Sequence, residues 1–179
     1  LGKIIVKGAD AGRFMDMLYT NMMSTLKPGR CRYGLMCNEN GFLMDDGVVA
    51  RLDEDTFLVH TTTGGAESIH GHMEDWLQCE WWDWKVYTAN VTEQYAQVGV
   101  AGPNSRKVIE KLTEDDIGAD ALTFMGWTEI TVAGIPARMF RISFAGELSF
   151  ELSVPASHGR ALWDALTEAG AEYGVMPYG

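Results

Sequence analysis

Basic residues are scarce in this chain of 179 residues: 14 Lys and Arg stand against 25 Asp and Glu, a formal net charge of −11. The longest basic run is the pair Arg106-Lys107. A surface that tracks nucleic-acid phosphates needs clustered cations, so that class of partner is excluded, and anionic membrane surfaces are disfavoured for the same reason. Long apolar runs are also lacking. None approaches the roughly 20 residues that span a bilayer, and no basic-then-apolar leader opens the chain, which points to a cytoplasmic protein without a membrane partner. Cysteine is rare. Cys31, Cys37 and Cys79 are odd in number and show no C-x-x-C spacing, so neither a disulfide framework nor a zinc site is indicated, and free thiols are expected. No Pro- or Ser-rich linker divides the chain, so residues 1–179 read as one fused domain. The chain starts at Leu1 without Met, and Met176-Pro177-Tyr178-Gly179 begins a turn with nothing after it, so a fragment of a longer chain is expected.

What is present is a globular composition, 46% hydrophobic and 22% charged. It carries an internal repeat. Val6-Lys7-Gly8-Ala9-Asp10 with its following helix through Leu18 resembles Val100-Ala101-Gly102-Pro103-Asn104 with its helix through Leu112, at an offset of 94. Asp10 and Asn104 stand at N-cap positions, and apolar residues follow at Phe14, Met17, Leu18 and at Val108, Ile109, Leu112. A second pair is read at the same offset. Thr56 to His60 precedes a helix near 66–79, and Phe150 to Val154 precedes one near 157–169, where Leu162, Leu166 and Ala169 recur at helical spacing before Gly170.

Between these pieces lie alternating runs. Tyr33 to Cys37 enters Asn40-Gly41, a strong hairpin signal, and the chain resumes from Phe42 to Leu52. In the second half the strands are Thr128 to Val132, Ala137 to Ser143 and Leu148 to Val154, with a turn expected at Ala133-Gly134-Ile135-Pro136. The pattern predicts an α+β fold of two similar strand-helix-strands-helix units with mostly antiparallel sheet.

Asp45-Asp46 is the most informative local feature, because side chains alternate along a strand and the two carboxylates must part company. Asp46 shares its face with Phe42, Met44, Val48 and Ala50, whereas Asp45 shares one with Arg51. A carboxylate in purely apolar company must be paired, hydrogen-bonded or functional. Gly47 could mark a bulge that changes the parity. A divalent-metal site on the pair is disfavoured, since alternation points the carboxylates apart. Glu151 reads as an ordinary exposed strand glutamate beside Ser149 and Ser153, suited as a bidentate acceptor to a ligand with two adjacent N–H donors.

Other residues carry weaker signals. His70 and His72 are about 200° apart on a helix and cannot share a metal as an i, i+4 pair can. His60 draws notice only by its position ahead of Thr61-Thr62-Thr63. Trp81, Trp82 and Trp84 sit among Glu80 and Asp83 rather than in a basic groove, so packing is favoured over base stacking. Gly102-Pro103-Asn104 lacks the glycine spacing and Lys of a phosphate loop. Tyr33 and Phe144 show nothing special in isolation.

The segments Met36-Cys37-Asn38-Glu39-Asn40-Gly41-Phe42-Leu43-Met44-Asp45-Asp46, Val100 to Asn104 and Gly146-Glu147-Leu148-Ser149-Phe150-Glu151 together resemble the folate-binding domain of the aminomethyltransferase (T-protein) family, in order along nearly the whole chain. With Cys31 to Met36 and Phe124-Met125-Gly126-Trp127 added, the likeness is greatest to the region shared with α subunits of heterotetrameric sarcosine oxidases. The resemblance implies tetrahydrofolate as ligand. It places the family's essential aspartate on Asp46, its pterin-binding glutamate on Glu151 and a site tyrosine on Tyr33. Phe144 stands where the family commonly has a pterin-contacting tyrosine, and His60 and Thr63 stand where it has asparagines beside the ligand. It further implies capture of a sarcosine-derived imine carbon as 5,10-methylenetetrahydrofolate, with FAD, FMN and NAD held by other domains or by other sarcosine oxidase subunits. The alternative is a domain of the same fold that only scaffolds subunits.

Overall fold

The computed structural model describes Leu1–Tyr178; Gly179, the last residue of the expected closing turn, lies outside the described residues. The chain divides into two compact units, Leu1–Thr92 and Glu93–Gly179.

The first unit runs β1 (Gly2–Lys7), α1 (Ala11–Leu18), β2 (Cys31–Cys37), β3 (Leu43–Asp53), β4 (Thr56–Thr61), α2 (Ala66–Cys79) and β5 (Tyr87–Asn90). Its sheet is antiparallel throughout, in the order β2-β3-β4-β1-β5. Helix α1 forms because Ala11, Phe14, Met15 and Leu18 recur on one side and bury there. Ile69, Met73 and Leu77 do the same for α2. These stripes close a core with Ile4, Val6, Val49, Phe57 and Val59 from one face of the sheet. Trp81 and Trp84 pack against this core and stack on each other at 4.8 Å, with the Arg13 guanidinium over Trp84 at 4.0 Å. Two of the three tryptophans of this run are therefore packing, while Trp82 is exposed.

The second unit runs β6 (Tyr95–Ala101), α3 (Ser105–Glu110), β7 (Trp127–Val132), β8 (Ile135–Phe140), β9 (Ser149–Pro155) and α4 (Gly159–Gly170). Its antiparallel sheet has the order β6-β9-β8-β7. Read from the other end, β7-β8-β9-β6 is the order β2-β3-β4-β1 of the first unit, so the repeat seen in the sequence is a repeat of topology. The strand-to-helix junctions match bond for bond. Gly8 N–H donates to Asp55 and Gly102 N–H to Leu148, while Ala11 N–H and Ser105 N–H return to the carbonyls of Gly8 and Gly102, all at 2.9 to 3.0 Å.

The second pair of the repeat is displaced by one residue from its expected offset. Val6 pairs with Phe57 on β4, and Val100, 94 residues after Val6, pairs with Phe150, 93 residues after Phe57. Both phenylalanines are fully buried. One residue is decisive in a strand, because it exchanges the two faces. Glu151 is thereby the counterpart of Leu58, turned away from its unit's core, and not of core-facing Phe57.

Three local expectations are corrected. Helix α3 ends at Glu110 rather than Leu112, where Leu112 N–H closes a tighter turn on Ile109. The β7–β8 turn is the two residues Ala133-Gly134, both with positive φ, so that Ile135 and Pro136 already belong to β8. Pro136 is tolerated because β8 pairs with β9 only from Arg138 to Phe140. Asp10 and Asn104 hold N-cap positions without capping: Asp10 accepts from Lys85 N–H at 2.9 Å, and Asn104 from Lys107 Nζ at 3.1 Å. None of the three cysteines is in a disulfide among the described residues. Among the described residues no helix is long and apolar enough to cross a membrane.

Candidate functional site

In the first unit the candidates gather on the sheet face turned away from the core. Tyr33 on β2 lies opposite Val48 on β3, and Leu35 lies opposite Asp46, so these four share a face. Alternation sorted this strand correctly, and Gly47 introduces no bulge; the register shifts fall at Met36/Cys37 and Arg51/Asp53. The apolar company of Asp46 is mixed, however: Ala50 is buried and Val48 half-buried. Tyr33, Leu35, Phe42 and Met44 are exposed, and Asp46 is half-buried. Its carboxylate meets the requirement of a partner through the Tyr33 hydroxyl, which donates to Oδ2. That bond, with a lesser contribution from desolvation, raises the Tyr33 pKa. Among the described residues no protein group donates to Asp46 Oδ1.

The buried carboxylate of the pair is Asp45, 6% exposed on the core face. Oδ1 accepts from Asp46 N–H at 2.8 Å and Thr62 N–H at 3.2 Å, and Oδ2 from the Thr62 hydroxyl at 3.1 Å. It ties β3 to the turn that starts α2 and fixes the backbone of Asp46. The face reads as polar in the sequence because its inward residues Asp45, Gly47 and Arg51 serve backbone rather than oil. Arg51 donates to Ser24 and Leu26 carbonyls at 3.0 and 2.6 Å. Gly47 passes so close to β4 that a Cβ there would lie 2.0 Å from the His60 carbonyl.

His60 is buried on β4 opposite Lys3, its Nδ1 3.1 Å from the Val48 carbonyl. A carbonyl can only accept, so Nδ1 carries the proton. Burial lowers its pKa to about 4; the Val48 bond opposes this and the nearby Lys3 charge adds to it. His60 is thus a neutral, structural imidazole near pH 7. Thr63 is exposed, next to the Thr62 that binds Asp45. His70 and His72 serve different partners, Thr88 Oγ1 at 3.0 Å and Trp76 Nε1 at 3.2 Å.

In the second unit Glu151 sits mid-strand on β9, opposite Gly99 on one side and Phe140 on the other. It is half-buried rather than exposed, and its neighbours Ser149 and Ser153 are buried. Gln97 Nε2 donates to Oε2. Gly99 places no side chain over the carboxylate and has open space where a Cβ would stand. Phe144 is fully exposed on the loop before β9. Within each unit the structure therefore joins Tyr33 with Asp46 and surrounds Glu151 with Gln97 and Phe140, while Thr63 and Phe144 present themselves to solvent.

Comparison with known families matches residues 1–179 to the GCVT N-terminal domain. The chain belongs to this family. Among relatives of this GCVT domain, the sarcosine oxidase subunit alpha of Corynebacterium sp. (strain U-96) is 49% identical over 181 residues, covering all of this chain and 19% of that protein. The aminomethyltransferase of Caldanaerobacter subterraneus is 31% identical over the whole chain and 46% of its own length. The chain thus spans about a fifth of the former and about half of the latter. Two solved structures share the fold. Aminomethyltransferase T of the glycine cleavage system from Bartonella henselae matches with a TM-score of 0.79 at 23% identity, over 93% of this chain and 43% of that one. Heterotetrameric sarcosine oxidase from Corynebacterium sp. U-96 matches with a TM-score of 0.64 at 14% identity, over 99% and 83%. The α+β fold expected from the sequence is that of this GCVT domain.

Two residues of the GCVT domain's candidate site escaped the sequence reading. Asp45 shares its face with Arg51 and so lacks the purely apolar company that singles out Asp46 in the sequence. Gln97 gave no motif, and only the β6–β9 register, which depends on the one-residue shift in the repeat, brings it to Glu151.

Proposed function

We propose that this GCVT domain binds tetrahydrofolate within the α subunit of a sarcosine oxidase and captures a sarcosine-derived imine carbon as 5,10-methylenetetrahydrofolate. The observation that carries the reading is the half-buried Asp46 carboxylate, held by Tyr33 on an accessible apolar face with Oδ1 unclaimed by protein. Tetrahydrofolate supplies two amine nitrogens that bridge the methylene as glycine leaves. Asp46 orients the attacking amine and takes its proton at Oδ1, while the Tyr33 hydroxyl keeps Oδ2 in place. Glu151, fixed through Gln97, accepts from the pterin 2-amino and N3–H groups. Phe144 offers an aromatic face to the ring, Thr63 a hydroxyl beside the ligand, and His60 supports the strand behind Asp46. Oxidation of sarcosine, with its FAD, FMN and NAD, belongs to other domains or subunits of a cytoplasmic complex.

The test is anaerobic calorimetric titration of tetrahydrofolate into the full-length protein and its Glu151→Gln variant. Binding that the variant weakens by at least about tenfold, the scale of one lost charge-assisted pair, supports the reading. Absence of binding by the parent protein overturns it. A second reading, a non-catalytic subunit-interface domain, draws on the exposed Phe42, Leu43 and Trp82 and is the outcome that absence of binding would favour.

A further inference from the structure

The two units share a strand order but differ at one edge. In the first, β5 flanks β1, pairing antiparallel from Ile4↔Asn90 to Lys7↔Tyr87. In the second, β6 holds the place of β1, and no strand lies beyond it among the described residues. Ladder parity tells which groups are left over. Lys3 faces the β5 side, where its N–H donates to Thr92 Oγ1 at 3.0 Å and its carbonyl accepts from Val91 N–H at 2.8 Å. Gly8 faces the other way, to Asp55, as Gly102 faces Leu148. Successive residues alternate, so Gln97, Gly99 and Ala101, the counterparts of Lys3, Ile5 and Lys7, present their N–H and C=O groups to the open edge. Covering differs to match: Ile4 is fully buried, whereas its counterpart Val98 is half-buried.

A groove of about 790 Å³ runs along this edge, lined by Val98, Val100, Val108, Trp163, Leu166 and Tyr173. A row of unpaired backbone groups beside an apolar groove offers what an extended peptide uses: ladder partners for its backbone and a seat for alternate side chains. We infer that the β6 edge receives a further antiparallel strand of the full-length polypeptide, paired with Gln97 to Ala101 and laying alternate apolar side chains against α3 and α4. The same polypeptide is the source because the first unit is built that way: β5 reaches β1 directly from α2 through residues 80–86. In the second unit the segment that follows α4 already lines the groove, from Tyr173 to Tyr178. The longer relatives, of which this chain is 19% and 46%, have chain to supply it.

Amide hydrogen exchange on the full-length protein tests this. Gly99 and Ala101 are expected to exchange within about tenfold of Ile5 and Lys7, the amides already covered by β5. Exchange of both at the rate of an exposed strand edge overturns the inference. So does protection that disappears on dilution or requires another subunit, since the strand then comes from a different molecule. Ala101→Pro removes one outward N–H without touching the β6–β9 ladder, and is expected to speed exchange at Gly99 by at least about tenfold. Unchanged Gly99 exchange in a folded Ala101→Pro protein also overturns the inference.

Discussion

The Tyr33 hydroxyl reaches Asp46 diagonally across the β2–β3 ladder, past the residues Val48 and Leu35 that directly face each of them. This is a distance that a long aromatic side chain spans and a shorter one does not. Tyr33→Phe keeps the ring and deletes the donor. On the proposed function, Tyr33→Phe in the full-length protein is expected to lower methylenetetrahydrofolate formation by about tenfold, the scale of one hydrogen bond to a charged group, while sarcosine turnover stays the same. Parallel assay of both products checks this, and an unchanged methylenetetrahydrofolate yield would show that the hydroxyl does not support Asp46.

Asp46→Asn goes further. It preserves shape and removes the proton acceptor, so oxidation is expected to continue while formaldehyde appears in place of methylenetetrahydrofolate. Quantifying the two one-carbon products in the same reaction decides the matter, and unaltered partition would remove Asp46 from the mechanism.

Asp45 should matter to stability more than to exposed chemistry. Asp45→Ala leaves the partly buried hydrogen bonds from Asp46 N–H and Thr62 N–H without their acceptor. It is expected to cost about 2–4 kcal/mol in denaturant unfolding. Asp45→Asn, which retains one acceptor oxygen, should cost less. Equal losses would mean that the charge, not the acceptor geometry, holds the turn.

His60 sets a pH dependence of stability. Its pKa falls from the ordinary 6.5 to about 4 in the folded chain, so the unfolded state binds the proton first. Its contribution is complete above about 6.5 and is lost as pH falls through about 4, by up to about 3 kcal/mol. His60→Gln should flatten that segment of the curve. Stability measured from pH 7 to pH 4 in both proteins reads the difference, and identical slopes would refute the assignment.

Two glycines with opposite surroundings give a paired test. Gly47→Ala drives a methyl group into the His60 carbonyl, whereas Gly99→Ala meets nothing within 4 Å. The first is expected to lose more than about 2 kcal/mol and the second less than about 1. If Gly99→Ala instead weakens tetrahydrofolate binding at full stability, the space over Glu151 belongs to the ligand.

The fold was legible because its signals are periodic: the Ala11-Phe14-Met15-Leu18 stripe, the Asn40-Gly41 turn and the duplicated strand-to-helix junction all survive into the structure. The site was less so. Alternation separates Asp45 from Asp46 but cannot tell which face meets the core, because Asp45 is buried and Arg51 half-buried by serving backbone groups distant in sequence. Glu151 reads as exposed in the sequence yet is half-buried, since only the β6–β9 ladder shows what stands beside it. Tyr33, Phe144 and Thr63 carry no local pattern that marks them, and His60 only its place ahead of three threonines, so the family resemblance alone points to the four.

Among the described residues each half of the chain closes its sheet on its own helices, and no strand pairs with one of the other half. Synthesis can therefore deliver the protein in two instalments. Once residue 90 has emerged, β1 to β5 have every ladder partner found for them among the described residues, while the second half is still being made. Vectorial folding of this kind confines each long-range search to one half of the chain and keeps unpaired edges briefly exposed. The edge left waiting longest is that of β6.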